Sequence, residues 1–205
     1  MQHLTTEILY PVMESFYTIQ GEGFHQGRSA WFIRLAGCDV GCVWCDVKES
    51  WDKAKHPQHT IQDILQPIIS SPATTVVITG GEPLMHNCTP LIQALQQLKL
   101  TVHVETSGAY PLIGNWDWVT LSPKKFKAPL PHIINQAHEL KVVIYNQSDF
   151  AWAEAHAACI DSACMLYLQP EWSKREQVTP LIVAYIKANP QWRMSNQLHK
   201  YINVP

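Results

Sequence analysis

The feature that most constrains the fold is an alternation along the chain. Short runs rich in branched or aromatic residues, at 30–35, 75–79, 102–106, 118–121, 140–144 and 165–168, read as buried strands. Between them lie segments with helical periodicity, at 61–69, 90–98, 149–158 and 180–188. The second and fourth begin with Thr89-Pro90 and Thr179-Pro180, a helix-start signature in which threonine caps free amides and proline needs no donor. Strands and helices alternating over short connections imply βα units on a parallel sheet. A closed eight-fold barrel usually takes about 250 residues. A chain of 205 residues therefore predicts an α/β fold built as a partial, incomplete parallel β/α barrel of about six strands. No repeat, low-complexity tract or linker interrupts the pattern, so residues 1–205 read as one domain.

The unusual residues fall just after the strands. Gly37-Cys38 follows the first, Gly80-Gly81-Glu82-Pro83 the second, Ser107-Gly108 the third, Ser122-Pro123-Lys124 the fourth and Gln169-Pro170 the sixth. In parallel α/β folds the carboxyl ends of the strands form one face, and ligand sites gather there. Five separate segments are expected to converge on one mouth.

Charge and composition exclude several classes. The net charge is -2 and no dense basic run occurs, so neither a nucleic-acid nor a membrane partner is expected. No apolar stretch approaches the roughly 20 residues that span a bilayer. Residues 1–9 lack a basic region followed by an apolar run, which predicts a cytoplasmic protein. In a reducing compartment thiols persist. Of six cysteines, three crowd into eight residues, a spacing that suits a metal better than crosslinks, while Cys88, Cys159 and Cys164 read as ordinary buried cysteines.

The crowded segment is Cys38-Asp-Val-Gly-Cys42-Val-Trp-Cys45, a C-x3-C-x2-C spacing in a loop. Three thiolates so close can face one metal centre. Iron–sulfur clusters commonly use four cysteines, and with three one iron stays open to bind and activate a small molecule. The alternative is a non-catalytic zinc module with His56 or His59 as fourth ligand, since structural zinc wants four protein ligands.

With Trp44 just before its last cysteine, this loop resembles the signature of the radical S-adenosylmethionine superfamily, and Gly80-Gly81-Glu82-Pro83 is similar to that superfamily's second motif. The resemblance implies a 4Fe-4S cluster on Cys38, Cys42 and Cys45, with S-adenosylmethionine chelating the open iron and yielding a 5′-deoxyadenosyl radical on reduction. Further stretches resemble one family within it, the 7-carboxy-7-deazaguanine synthases. These are Phe16-Tyr-Thr-Ile-Gln-Gly-Glu-Gly23, Phe32-Ile-Arg34, Glu105-Thr-Ser-Gly108, Ser122-Pro-Lys124 and Trp192-Arg-Met-Ser-Asn-Gln-Leu-His-Lys200, so the likeness runs almost end to end. It implies a radical-type partial barrel and a lyase acting on 6-carboxy-5,6,7,8-tetrahydropterin in 7-deazapurine (queuosine) biosynthesis. Hydrogen is taken from C6, the ring contracts, ammonia leaves, and the cofactor is regenerated. A reductant such as flavodoxin or ferredoxin and a homodimer are further expectations from the family.

Carried over by residue, the resemblance assigns Ile19, Gln20 and Gly21 to the pterin, largely through backbone groups, and Arg34 to the substrate carboxylate. For Arg34 the alternative is a salt bridge inside the barrel. Thr79 and a chain-terminal carboxylate at Pro205 complete the substrate set. Trp44, Cys45, Asp46, Gly81, Ser122, Pro123, Lys124 and Gln169 are expected to hold S-adenosylmethionine. No side chain is expected to be catalytic beyond the cofactor-derived radical. Glu22 and Glu105 read as braces for loops and His199 as a packed surface residue, while the aromatic pairs Trp116/Trp118 and Phe150/Trp152 read as packing. One position departs from the family: Val47 stands where a threonine is expected to ligate magnesium. Valine offers no oxygen, so water, Ser50 or the Val47 carbonyl would fill the gap, and weaker magnesium dependence is expected. A glycyl-radical activating enzyme would share both cofactor motifs, but not the stretch at 16–23 or the Gln-x-His-Lys tail.

Overall fold

A computed structural model describes residues 8–205; the first seven, and with them most of the stretch read above for a leader, lie outside the described residues. The strands are β1 (Tyr10–Ile19), β2 (Ser29–Leu35), β3 (Gln58–His59), β4 (Thr75–Gly80), β5 (Thr101–Thr106), β6 (Trp118–Leu121), β7 (Glu139–Ile144), β8 (Met165–Pro170) and β9 (Trp192–Met194). The helices are α1 (Ile61–Ile69), α2 (Thr89–Gln97), α3 (Pro131–Ile134), α4 (Asp149–Ala157), α5 (Arg175–Ala188) and α6 (Leu198–Ile202). The strands form one sheet in the order β3-β1-β2-β4-β5-β6-β7-β8-β9. From β2 to β9 every pairing is parallel, while β1 runs antiparallel to β2 and to β3. The sheet does not close, so the partial barrel stands.

All six strands read from the sequence are present, and the count of six grows to nine. The three additions lack the continuous apolar run of a buried strand. β1 is buried at its start and half exposed beyond Val12, with Glu14 and Ser15 interrupting its apolar residues, and β3 and β9 are two and three residues long. The Thr-Pro helix starts are a second correction. Thr89 is the first residue of α2 and makes no cap, and Pro180 sits inside α5, which begins at Arg175. The true capping box belongs to Thr60 and Asp63 at the start of α1. Among the scattered cysteines, Cys88 and Cys164 are buried as expected and Cys159 is exposed.

Strand periodicity sorts the side chains into two environments. Ile33, Leu35, Val76, Ile78, Val102, Val104, Leu121, Leu140 and Val142 face outward and form the main core with Ile64, Leu91, Leu95, Phe150, Val178 and Ile182 of the helices. The alternate positions, Arg34, Thr79, His103, Glu105, Thr120, Glu139, Lys141 and Gln169, lie on the concave face, where the composition turns polar. Trp118 stacks against Phe24 and His138 at the base of that face. Trp116 and Phe150 pack in the core, in line with their reading as structural.

One half-buried acceptor ties the short β9 to the helices. Glu154 Oε1 on α4 accepts from Tyr185 OH (2.6 Å) and from Trp192 Nε1 (2.7 Å), whose side chain is buried. Removing it leaves the Trp192 N–H without a partner. Glu154→Ala is expected to lower unfolding stability by about 1–3 kcal/mol, and Glu154→Gln by less, in urea denaturation.

Candidate functional site

The cluster loop is suspended from its neighbours by backbone bonds. Gly37 N donates to Ser50 O (2.6 Å), Cys38 N to Trp51 O (3.2 Å), and Glu82 N to Gly37 O (2.8 Å). Gly80 has φ +122°, and a Cβ there would strike the Leu35 backbone; a Cβ on Gly81 would run into the Gly37 carbonyl and Cys38. Two glycines are needed because two strand ends approach each other without room for side chains. Glu82 locks this turn to the end of β5. Its Oε1 accepts from Leu84 N (3.1 Å) and Thr106 Oγ1 (2.6 Å), and its Oε2 accepts from Ser107 N (2.8 Å) and Ser107 Oγ (2.5 Å).

All five segments after the strands meet, as expected, at one cavity of about 610 Å3 on the carboxyl face of the sheet. Cys38, Cys42 and Cys45 share one wall of it, unbridged and packed against Val40, Ala109 and Tyr110. Burial pushes the Cys38 thiol up and takes Cys42 to about 11, so thiolates there call for a strong cation. Three thiols facing one cavity suit an iron–sulfur core held by three cysteines. The zinc alternative fails on its fourth ligand: His56 Nε2 bonds Glu49 O (2.8 Å), and neither His56 nor His59 lines the cavity.

Of the residues expected to hold S-adenosylmethionine, Trp44, Cys45, Asp46, Gly81, Ser122, Lys124 and Gln169 line this cavity, and Pro123 does not. Lys124 folds back, donating to Ser122 O (2.7 Å) and Ser122 Oγ (2.5 Å), with its ammonium 5.7 Å from the Trp44 ring centre. Gln169 Oε1 accepts from Ser195 Oγ (2.7 Å), whose oxygen accepts from Gly23 N (3.0 Å). The residues expected at the substrate, Ile19, Gln20, Gly21, Arg34, Thr79 and Pro205, also line the cavity. Arg34 Nε lies 2.6 Å from Glu14 Oε1, at ion-pair distance without hydrogen-bond alignment, so the salt bridge and the cavity position coexist.

Three residues set aside in the sequence occupy the cavity. His199 is half-buried and covers Gly21 rather than packing on the surface, and burial lowers its pKa. Glu22 and Glu105 flank Lys141, a residue the sequence reading passed over. Its Nζ lies 2.5 Å from Glu22 Oε2 and 2.8 Å from Glu105 Oε2. Burial works against the Glu22 charge, yet the Lys141 charge and hydrogen bonds from Lys141 and Gln197 outweigh it and hold the carboxyl at about 2. Burial raises Glu105 above the usual range, and raises Glu139, below it, to about 7. The sequence signal was the alternation Glu139-Leu-Lys141-Val beside His103-Val-Glu105, charges facing one way inside strands.

Where magnesium is expected, Ser50 Oγ donates to Val47 O (2.7 Å) and Lys200 Nζ lies 2.7 Å from Asp46 Oδ2. Val47 brings no side-chain oxygen, while Ser50 Oγ and Asp46 Oδ1 keep lone pairs on the cavity wall, so a magnesium ion there would take most of its roughly six oxygens from water and substrate.

An open parallel α/β barrel with three thiols at the mouth defines a cluster-binding enzyme of the radical S-adenosylmethionine class. Residues 19–119 match the family model described as a 4Fe-4S single cluster domain. The chain is 55% identical over 197 residues to the 7-carboxy-7-deazaguanine synthase of Flavobacterium psychrophilum, covering 96% of this chain and 93% of that protein. It is 33% identical over 222 residues to the Escherichia coli 7-carboxy-7-deazaguanine synthase, covering 95% and 99%. The crystal structure of QueE from Escherichia coli superposes with a TM-score of 0.82 at 32% identity, over 93% of this chain and 95% of that one. This chain belongs to the 7-carboxy-7-deazaguanine synthase family.

The close approach at Gly81 gives a direct test. Gly81→Ala is expected to push the cluster loop outward and lower the iron held after anaerobic reconstitution, with far-UV circular dichroism unchanged. Full iron loading would contradict the packing.

Proposed function

We propose that this chain converts 6-carboxy-5,6,7,8-tetrahydropterin to 7-carboxy-7-deazaguanine with loss of ammonia, as a carbon–nitrogen lyase in 7-deazapurine biosynthesis. The observation that carries the reading is one cavity lined both by three thiols and by a set of polar groups suited to a pterin acid. Cys38, Cys42 and Cys45 hold the cluster. Trp44 to Asp46, Gly81, Ser122 and Lys124 hold S-adenosylmethionine, with Pro123 shaping their loop from outside the cavity and Gln169 supporting the far side. When bound, these two groups supply an electron and a carbon-centred radical that takes hydrogen from the substrate.

The chain's own residues bind, orient and shield. Arg34 presents its guanidinium to the substrate carboxylate, a planar fork meeting two oxygens, while Glu14 holds it from behind. Ile19, Gln20 and Gly21 offer backbone groups to the pterin edge, and Thr79 and Pro205 flank it. Glu22 and Glu105 supply acceptors for ring N–H groups. His199 and Lys200 close the mouth and keep water from the reacting carbon. A flavodoxin or ferredoxin as reductant, a homodimeric state and a cytoplasmic location complete the proposal; the absence of a disulfide among the six cysteines is in keeping with that compartment. No helix among the described residues is long and apolar enough to cross a membrane.

The test is anaerobic reconstitution followed by incubation with reductant, S-adenosylmethionine and the carboxytetrahydropterin, with products read by mass spectrometry. 7-Carboxy-7-deazaguanine is expected, with a weaker dependence on added magnesium than a threonine at position 47 would give. Cleavage of S-adenosylmethionine without that product would discard the substrate. Arg34→Met is expected to raise KM for the pterin by about 10- to 100-fold, the worth of a charge-assisted bond, and to leave S-adenosylmethionine binding unchanged.

A further inference from the structure

The concave face carries one buried cation that the roles above leave unassigned. Lys141 stands in mid-strand on β7 with 4% of its side chain exposed. The charged groups facing it are Glu22 from the loop after β1, Glu105 from β5, Glu139 two residues back on β7, and Lys124 from the loop after β6; His199 of α6 acts on Glu22 from above. The ammonium takes Oε2 of Glu22 and Oε2 of Glu105. The remaining oxygens meet glutamines at the cavity wall, Glu22 Oε1 with Gln197 Nε2 (3.0 Å) and Glu105 Oε1 with Gln20 Nε2 (3.4 Å). The second bond is long and readily exchanged for a ligand N–H. An aminopyrimidinone ring presents such N–H donors along its edge.

We propose that Lys141 is a positioning residue for the pterin, clamping Glu22 and Glu105 by one oxygen each so that their other oxygens stand as charged acceptors for the ring N–H groups. The proposal rests on the substrate reading above. Its physical basis is that two buried carboxylates sharing one site cannot both ionise without a counter-charge. A buried lysine kept only for stability would need no second carboxylate opening onto the cavity. Removing the ammonium raises both carboxyls, so the acidic limb of a pH profile that requires them ionised moves to higher pH.

The test compares Lys141→Met and Lys141→Arg with the native holoenzyme. Lys141→Met is expected to raise KM for the carboxytetrahydropterin by about tenfold or more. The acidic limb of kcat/KM should move up by about one pH unit or more, with iron content and S-adenosylmethionine binding unchanged. Lys141→Arg restores the charge and returns the limb toward its native position. If Lys141→Met does not fold, Lys141→Met with Glu105→Gln removes charge on both sides of the pair. In that protein Glu22 becomes the titrating group and KM stays raised. Native KM and a native profile in whichever variant folds would overturn the proposal. Infrared difference spectra of the substrate-free proteins at neutral pH separate this failure from failure of the substrate reading. Carboxylate converted to carboxyl in Lys141→Met supports the clamp even if the native enzyme rejects the pterin, and no conversion overturns it.

Discussion

A parallel sheet has to be covered on both faces, and everything distinctive here follows from how the second face is covered. The outer face is sealed conventionally, by apolar strand positions against α1, α2, α4 and α5. The inner face lacks a closing eighth unit and receives no comparable layer. It is lined instead by Arg34, His103, Glu105, Glu139 and Lys141, groups that cannot be left there unpaired. The charged groups among them are held chiefly by pairing with one another. Lys141 answers Glu22 and Glu105, and Glu139 Oε2 accepts from Phe24 N (3.0 Å). The loop at 20–27 is thereby fixed from beneath by the same charges that line the cavity.

Rigidity at the mouth comes from a different device. The glycines at 80 and 81 let β4 end against the backbone of 35–37, and the buried Glu82 carboxylate then gathers four donors from the turn and from β5. A carboxylate satisfied four times fixes the relative height of two strand ends. The cysteine loop hangs from one of them through Glu82 N and Gly37 O. Thiol positions are thus set by strand geometry and not by the loop's own propensities, which suits a site that has to present three ligands at fixed separations.

How much of this the sequence disclosed depends on which period carried the signal. The strands at 30–35, 75–79 and 140–144 were legible because their apolar runs are buried, and the cavity segments because glycine, proline and cysteine punctuate strand ends. β1, β3 and β9 were not, since β1 is half exposed and carries polar residues through its middle and the other two are too short to have a period. Thr179-Pro180 misled because proline is also tolerated inside α5 when packing supplies the rest of the helix. Lys141 lay inside a correctly placed strand and Glu139 at its start, and both were overlooked because chemistry was sought after strands, not within them, while Glu105 was read only as a brace. The motif at 16–23 pointed to Glu22 as a brace. It braces by pairing with a lysine 119 positions away, and no local pattern reveals that distance.

The tail joins these parts into one unit. Leu198 N donates to Gly21 O (2.9 Å), Gly23 N donates to Ser195 Oγ, and Lys200 pairs with Asp46, so the segment after β9 touches both the 20–27 loop and the cysteine loop. The loop at 20–27 and the cysteine loop are connected through it. The Asp46 carboxylate beside the last cysteine pairs with an ammonium from this tail, and Val47 next to it adds no side-chain oxygen. Part of the charge at the mouth is thereby met by a lysine of the chain itself, held by the same segment that braces the two loops.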